Sequence, residues 1–199
     1  MFKAVEVTPE AKHLVLMHKE RKEILSSWIG EIVSSFAPME PLTLDLCCGD
    51  SLFAYFISST RYVGVDSSLA CIKRNNKKWP NHTWIKGSIK EAMPILVQPK
   101  WELMLAFGCD DNKESGQLPS LLPAFAQLSS MSMAQRSWVV VEIPVNCRSR
   151  TYESAEEILS ASGFSLMDLQ RYSVSSGVRQ WSEREYMVFF RWPQWSIRE

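Results

Sequence analysis

The residues most able to do chemistry lie in one short stretch, Leu44-Asp45-Leu46-Cys47-Cys48-Gly49-Asp50-Ser51-Leu52-Phe53. Small residues at 47–51 let the backbone turn sharply and approach a ligand. A helix expected from Leu52 onward would offer its free N–H groups. The loop has a single glycine, Gly49, and carries Asp50 where a pyrophosphate would sit, whereas dinucleotide loops use G-x-G-x-x-G. It also lacks the G-x-x-x-x-G-K-[ST] of a nucleoside-triphosphate loop. Asp45 suits a ligand with a positively charged amino group and a sulfonium. Asp66 ends the next apolar run, 21 residues after Asp45, where a carboxylate can accept from both hydroxyls of a ribose. Together these demands describe S-adenosylmethionine better than NAD. The plainer alternatives are a strand-ending turn at Asp45 and Gly49 and a helix cap at Asp66.

The elements that must position these residues follow from the alternation of short apolar runs with helical stretches, which predicts an α/β domain with a mostly parallel sheet. Strands are expected at 42–46, 61–65, 82–86, 102–107, 138–143, 166–172 and 185–192. Helices are expected after Thr8-Pro9, with Gly30 a point of division and Pro38 and Pro41 its end, and then from Leu52, over 68–78, within 119–133 and over 152–162. Residues 173–184 have no regular period and read as a loop.

Composition sets the outer bounds. The 199 residues carry 22 Lys plus Arg against 22 Asp plus Glu, so the chain is neutral and has no global electrostatic footprint for nucleic acid. With 46% apolar residues it is a folding chain of one domain, not a disordered one. No apolar run reaches membrane-spanning length, and the N-terminus has no signal-peptide core. Five cysteines without a C-x-x-C, and three unclustered histidines, fit reduced thiols in a cytoplasmic protein without a metal site.

Read together, LDLCCGDS, Tyr62-Val63-Gly64-Val65-Asp66-Ser67 and Trp84-Ile85-Lys86-Gly87-Ser88-Ile89 resemble the three cofactor-binding segments of the Rossmann-like, class I S-adenosylmethionine-dependent methyltransferases. The resemblance covers residues 41–192. Its first motif, D-x-G-x-G-x-G, is matched by Asp45 and Gly49, with Cys47 and Ser51 in place of the outer glycines. Ser88 stands where many relatives have an acid that meets the adenine amino group. The resemblance implies a seven-stranded Rossmann-like methyltransferase fold, mostly parallel with an antiparallel last strand and helices on both faces. It also implies one domain over 1–199, with an N-terminal helical lid over 1–40. The cofactor residues it implies are Asp45, Cys47, Cys48, Gly49, Ser51, Asp66, Ser67, Ser88, Ile89 and Phe107. The implied cofactor is S-adenosyl-L-methionine.

The expected reaction is methyl transfer to an oxygen or nitrogen of a small molecule. Asp110 and His18 are the candidate catalytic groups, with Asp111 and His13 beside them; the alternatives are a polar loop and a solvent-edge helix. The family's Asp/Asn-Pro-Pro-Tyr motif for planar amino groups is absent, since the chain reads Phe107-Gly108-Cys109-Asp110. The basic run Lys73, Arg74, Lys77, Lys78, Lys86 and Lys90 reads as a solvated face rather than an RNA surface. Trp181 is a candidate for stacking on a flat substrate. The competing functions are RNA or protein methylation, or a non-catalytic protein of the same fold, kept open by Cys47, Ser51 and Ser88. The sequence does not fix an oligomeric state.

Overall fold

Thr43, Leu44, Asp45 and Leu46 are all buried, so the run that precedes the loop has no solvent face. A strand of that kind belongs inside a sheet covered on both sides. The computed structural model describes residues 27, 29–51, 53–107, 126–128, 130, 133–144, 156–176 and 179–191. Its strands are β1 (Thr43–Leu46), β2 (Tyr62–Asp66), β3 (Thr83–Lys86), β4 (Trp101–Ala106), β5 (Met133–Pro144), β6 (Ser165–Ser176) and β7 (Arg179–Arg191). They form one seven-stranded sheet in the order β3-β2-β1-β4-β5-β7-β6. Strands β1 to β5 pair in parallel, and β7 runs antiparallel to both β5 and β6. The strand order reverses between β1 and β4, which is where open α/β sheets bind ligands.

Side chains alternate across the pleat, and the alternation divides the core in two. Leu44, Leu46, Val65, Met104, Ala106, Val139 and Val141 face a cluster with Ile89, Met93, Leu96, Leu159 and Phe164. Tyr62, Leu103, Leu105, Phe107 and Val140 face the opposite cluster with Ile29, Ile32, Phe53 and Ile57. The first cluster is covered by helix α3 (Ile89–Leu96) and the helix at 156–161. The second is covered by helix α1, at 29–34, and the turn at 53–57. Helix α2 (Leu69–Lys78) lies between β2 and β3 in the chain and packs on both.

Four features depart from the sequence-based expectations. Helix α3 was not foreseen, because Pro94 sits inside it; Ser88 and Glu91 close a capping box that starts it. The helix expected from Leu52 is a turn over the described residues 53–57. The Ala54 and Ile57 carbonyls lie 3.1 and 3.2 Å from His82 Nε2, and Ser58 N donates to Glu40 Oε2 at 2.6 Å, so groups a helix would pair internally are bound elsewhere. With two carbonyl acceptors, that imidazole nitrogen carries the proton. Gly30 is itself helical within the described part of α1, with 29 and 31–34 on either side. The expected loop at 173–184 is instead hairpin: Ser173 pairs with Glu183, Val174 with Ser182 and Ser176 with Arg179, which places Trp181 within β7. Strand β5 ends at Pro144 opposite Arg184, so β7 begins well past the carboxyl end of the parallel strands.

Gly64 shows how closely the second face is packed. It sits in register between Asp45 and Trp84. A Cβ there would lie 2.5 Å from Trp84 Cζ3 and 3.0 Å from Cys48 Sγ. The indole cannot easily yield, because its Nε1 donates to the Trp79 carbonyl at 3.1 Å and its ring contacts Tyr62 and His82. Gly64→Ala is therefore expected to destabilise the protein by about 1–3 kcal/mol, the usual cost of overpacking. Gly30→Ala, in a helix with no atom of the described residues within 4 Å of the added atom, should stabilise by about 0.4–1 kcal/mol. Urea unfolding of the two variants reads both signs.

Candidate functional site

The loop after β1 has an unusual backbone. Cys47, Gly49 and Ser51 all take positive φ, at 56°, 49° and 53°. These are the three alternate positions at which D-x-G-x-G-x-G places glycine. For a residue with a side chain this conformation costs roughly 1–2 kcal/mol, so bonds from outside must hold it. Cys48 N donates to the Val65 carbonyl at 3.0 Å, and Ser51 N to the Cys48 carbonyl at 2.7 Å. Gly49 N donates to Asp66 Oδ2 at 2.8 Å. From α2, Asn75 Nδ2 donates to the Gly49 carbonyl at 2.8 Å and to Ser51 Oγ at 2.7 Å. Arg74, next to it, binds Asp50 Oδ1 through two nitrogens at 3.0 and 2.6 Å on the exposed side.

Beneath the loop is a buried polar layer. Asp45, Ser51, Asn75 and Tyr62 are each no more than 2% exposed. Asp45 accepts a short hydrogen bond from the Tyr62 hydroxyl. Burial, and then the Asp45 charge, hold the Tyr62 hydroxyl well above its ordinary value of 10.0. Burial and the same carboxylate push the Cys48 thiol far above 9.0. Both groups stay neutral at physiological pH, and a neutral thiol is neither a nucleophile nor a good metal ligand. Among the described residues, no three His, Cys, Asp or Glu gather as a metal site.

Above this layer a pocket opens at the carboxyl ends of β1, β2 and β3. Cys47, Val65, Asp66, Ser67, Gly87, Ser88 and Ile89 line it. Five of these, Cys47, Asp66, Ser67, Ser88 and Ile89, are residues singled out from the sequence. Asp66 does not cap α2, whose N-cap is Ser68, but it shapes the turn into that helix: its Oδ1 accepts from Ser68 N at 2.7 Å. With the bond from Gly49, that uses two of the roughly four acceptor positions of a carboxylate. The Ser88 hydroxyl accepts from Glu91 N at 3.2 Å and lies 3.0 Å from Glu91 Oε2, so its single proton goes to the capping box. The bond from the Ser88 backbone N–H, and then that from its hydroxyl, lower the Glu91 pKa.

The other sequence-derived candidates are placed differently. Asp45 lies under the loop, and Cys48, Gly49 and Ser51 belong to the loop but not to the pocket lining, with Cys48 and Ser51 buried. Phe107 is buried against Phe53 with ring centroids 4.9 Å apart. Asp110, Asp111, His13 and His18 lie outside the described residues. Lys73, Arg74, Lys77, Lys78, Lys86 and Lys90 are all exposed. Sequence reasoning missed Asn75 and Tyr62. The only signal for Asn75 was a polar residue three positions after Ile72, on the inward side of α2.

The chain matches no protein-family model and no curated protein sequence. It does match solved structures. The magnesium protoporphyrin IX methyltransferase ChlM from Synechocystis PCC 6803, crystallised with bound SAM, superposes with a TM-score of 0.63 at 13% identity, over 96% of this chain and 86% of that one. A SAM-dependent methyltransferase from Archaeoglobus fulgidus gives 0.60 at 15% identity, over 89% and 99%. A protein described as a putative RNA methyltransferase from Pyrococcus horikoshii gives 0.55 at 12% identity, over 96% and 91%. The pocket, the left-handed loop and the sheet order are thus set in one architecture, and this chain has the fold of the class I S-adenosylmethionine-dependent methyltransferases.

Proposed function

We propose that this protein is an S-adenosylmethionine-dependent methyltransferase that modifies an oxygen or nitrogen of a small molecule. The observation that carries the reading is the convergence of Cys47, Asp66, Ser67, Gly87, Ser88 and Ile89 on one pocket at the carboxyl ends of three parallel strands. The lining suits the cofactor. Asp66 has acceptor capacity left for ribose hydroxyls, Val65 and Ile89 give apolar surface to a flat base, and the loop backbone reaches the pocket through Cys47. When bound, the cofactor supplies an electrophilic methyl group.

The residues of this chain then serve chiefly to bind and orient. Aligning two reactants lowers a barrier by about 7–11 kcal/mol. A hydroxyl acceptor would gain a further 10²–10⁴-fold, roughly, from a general base, and Asp110 and His18 are proposed for that part. An amine arriving neutral needs none. Among the solved neighbours, ChlM is named for a porphyrin and a plantazolicin methyltransferase is held with a plantazolicin analogue, which supports a small-molecule acceptor. The neutral charge of the chain points the same way.

Three outcomes are expected. S-adenosylmethionine and S-adenosylhomocysteine raise the melting temperature and NAD does not. At 100 times Kd the stabilisation is about 2.7 kcal/mol, or roughly 5–10 °C for a chain of this size; no shift at millimolar ligand would overturn the cofactor assignment. Asp66→Ala weakens S-adenosylhomocysteine roughly 10- to 150-fold by calorimetry, the loss of charge-assisted hydrogen bonds, and unchanged affinity would leave Asp66 only its bonds to Gly49 and Ser68. Incubation of methyl-labelled S-adenosylmethionine with cell extract places label in a low-mass compound; label confined to RNA or protein would refute the small-molecule reading.

A further inference from the structure

Helix α2 is solvated along most of its length. Lys73, Arg74, Lys77 and Lys78 are exposed, and Ile72 and Asn75 are its buried residues. At 1% exposure, Asn75 holds a position where an apolar side chain would pack at no desolvation cost, and a buried amide is unfavourable unless it is bonded. The bonds its side-chain nitrogen makes all reach one target. Its Nδ2 carries two protons, and they meet two acceptors, the Gly49 carbonyl and Ser51 Oγ. Cys48 Sγ lies farther off at 3.9 Å. Both acceptors belong to left-handed residues of the loop, and one of these, Ser51, is not glycine.

The same peptide chain connects Asn75 to the pocket. Gly49 is gripped at both ends, its carbonyl by Asn75 and its N–H by Asp66 Oδ2, and Asp66 lines the pocket. Cys47, two residues earlier and also left-handed, lines the pocket too. Asn75 itself does not. We propose that Asn75 is a positioning residue for S-adenosylmethionine binding: its carboxamide holds the 47–51 loop in the left-handed course that glycine would otherwise permit, and so sets the orientation of Asp66 and Cys47. This rests on the cofactor reading given above.

The test compares Asn75→Ala in two backgrounds, with Ser51 and with Ser51→Gly, by calorimetric Kd for S-adenosylhomocysteine and by melting temperature. Glycine takes φ near 53° without strain, so the need for the clamp should fall when it stands at 51. In the Ser51 background, Asn75→Ala is expected to weaken binding about tenfold or more; with Ser51→Gly present, the same change should cost less than about threefold, a non-additivity that neighbours in one network show. Amide exchange at Gly49 and Ser51 should quicken in Asn75→Ala and slow again in the double variant. A purely structural asparagine would lower the melting temperature in both backgrounds and leave Kd unchanged, which would overturn the proposal. Should Asn75→Ala fail to fold, Asn75→Ser, too short to span both acceptors, is measured in the same two backgrounds against the same expectation. If the unsubstituted protein does not bind S-adenosylhomocysteine, the cofactor reading falls and this inference with it; if it binds and Asn75→Ala binds equally well, this inference alone falls.

Discussion

A backbone that turns left-handed at three alternate residues, two of them bearing side chains, cannot hold that course by its own preferences. The strain at Cys47 and Ser51 has to be met by bonds from the surrounding structure, and much of the site is arranged around that requirement. Strand β2 contributes the Val65 carbonyl and the Asp66 carboxylate; α2 contributes Arg74 and Asn75. These anchors tie the loop to β2 and to the helix that packs on it. Backbone strain of this kind persists only where the surroundings over-determine it.

The buried layer beneath the loop makes a related point in electrostatic terms. Asp45 is inside the protein, where an isolated charge is costly. Its hydrogen bond from Tyr62 lies on the face of the second core cluster, opposite the aliphatic side chains of Leu44 and Leu46. The pleat of one four-residue strand thus separates a polar floor from an apolar wall. Trp84 packs over Gly64 and its ring meets those of Tyr62 and His82, so aromatic surface braces the floor.

The strands were legible because buried parallel strands are nearly continuous apolar runs, and β1, β2 and β4 read that way. The acidic residue at the end of β2 and the small residues after β1 were legible for the same reason: they interrupt such runs at fixed places. What the sequence hid was of two kinds. Helix α3 carries Pro94, which local propensity counts against a helix, although its Ser-x-x-Glu capping box was present at 88–91. The turn at 53–57 looked helical because Leu52, Phe53 and Phe56 have the right spacing, and only the distant partners His82 and Glu40 explain why the helix does not form. Asn75 was invisible for a similar reason. Its value lies in two loop atoms 24 and 26 residues away in the chain, and no local pattern encodes that.

The β6–β7 hairpin runs beyond the end of β5 on the side of the sheet where the pocket opens. From Arg184, opposite Pro144, back to Arg179, the ribbon adds about 17 Å at about 3.4 Å per residue. Such a ribbon can change in evolution only in steps. One residue inserted in each arm lengthens it by a single pleat and turns every side chain beyond the insertion to the opposite face. Two in each arm lengthen it and restore the facing. The ribbon is therefore a surface whose reach and facing cannot drift independently, and relatives that differ in it by odd and by even steps will present inverted faces beyond this end of the sheet.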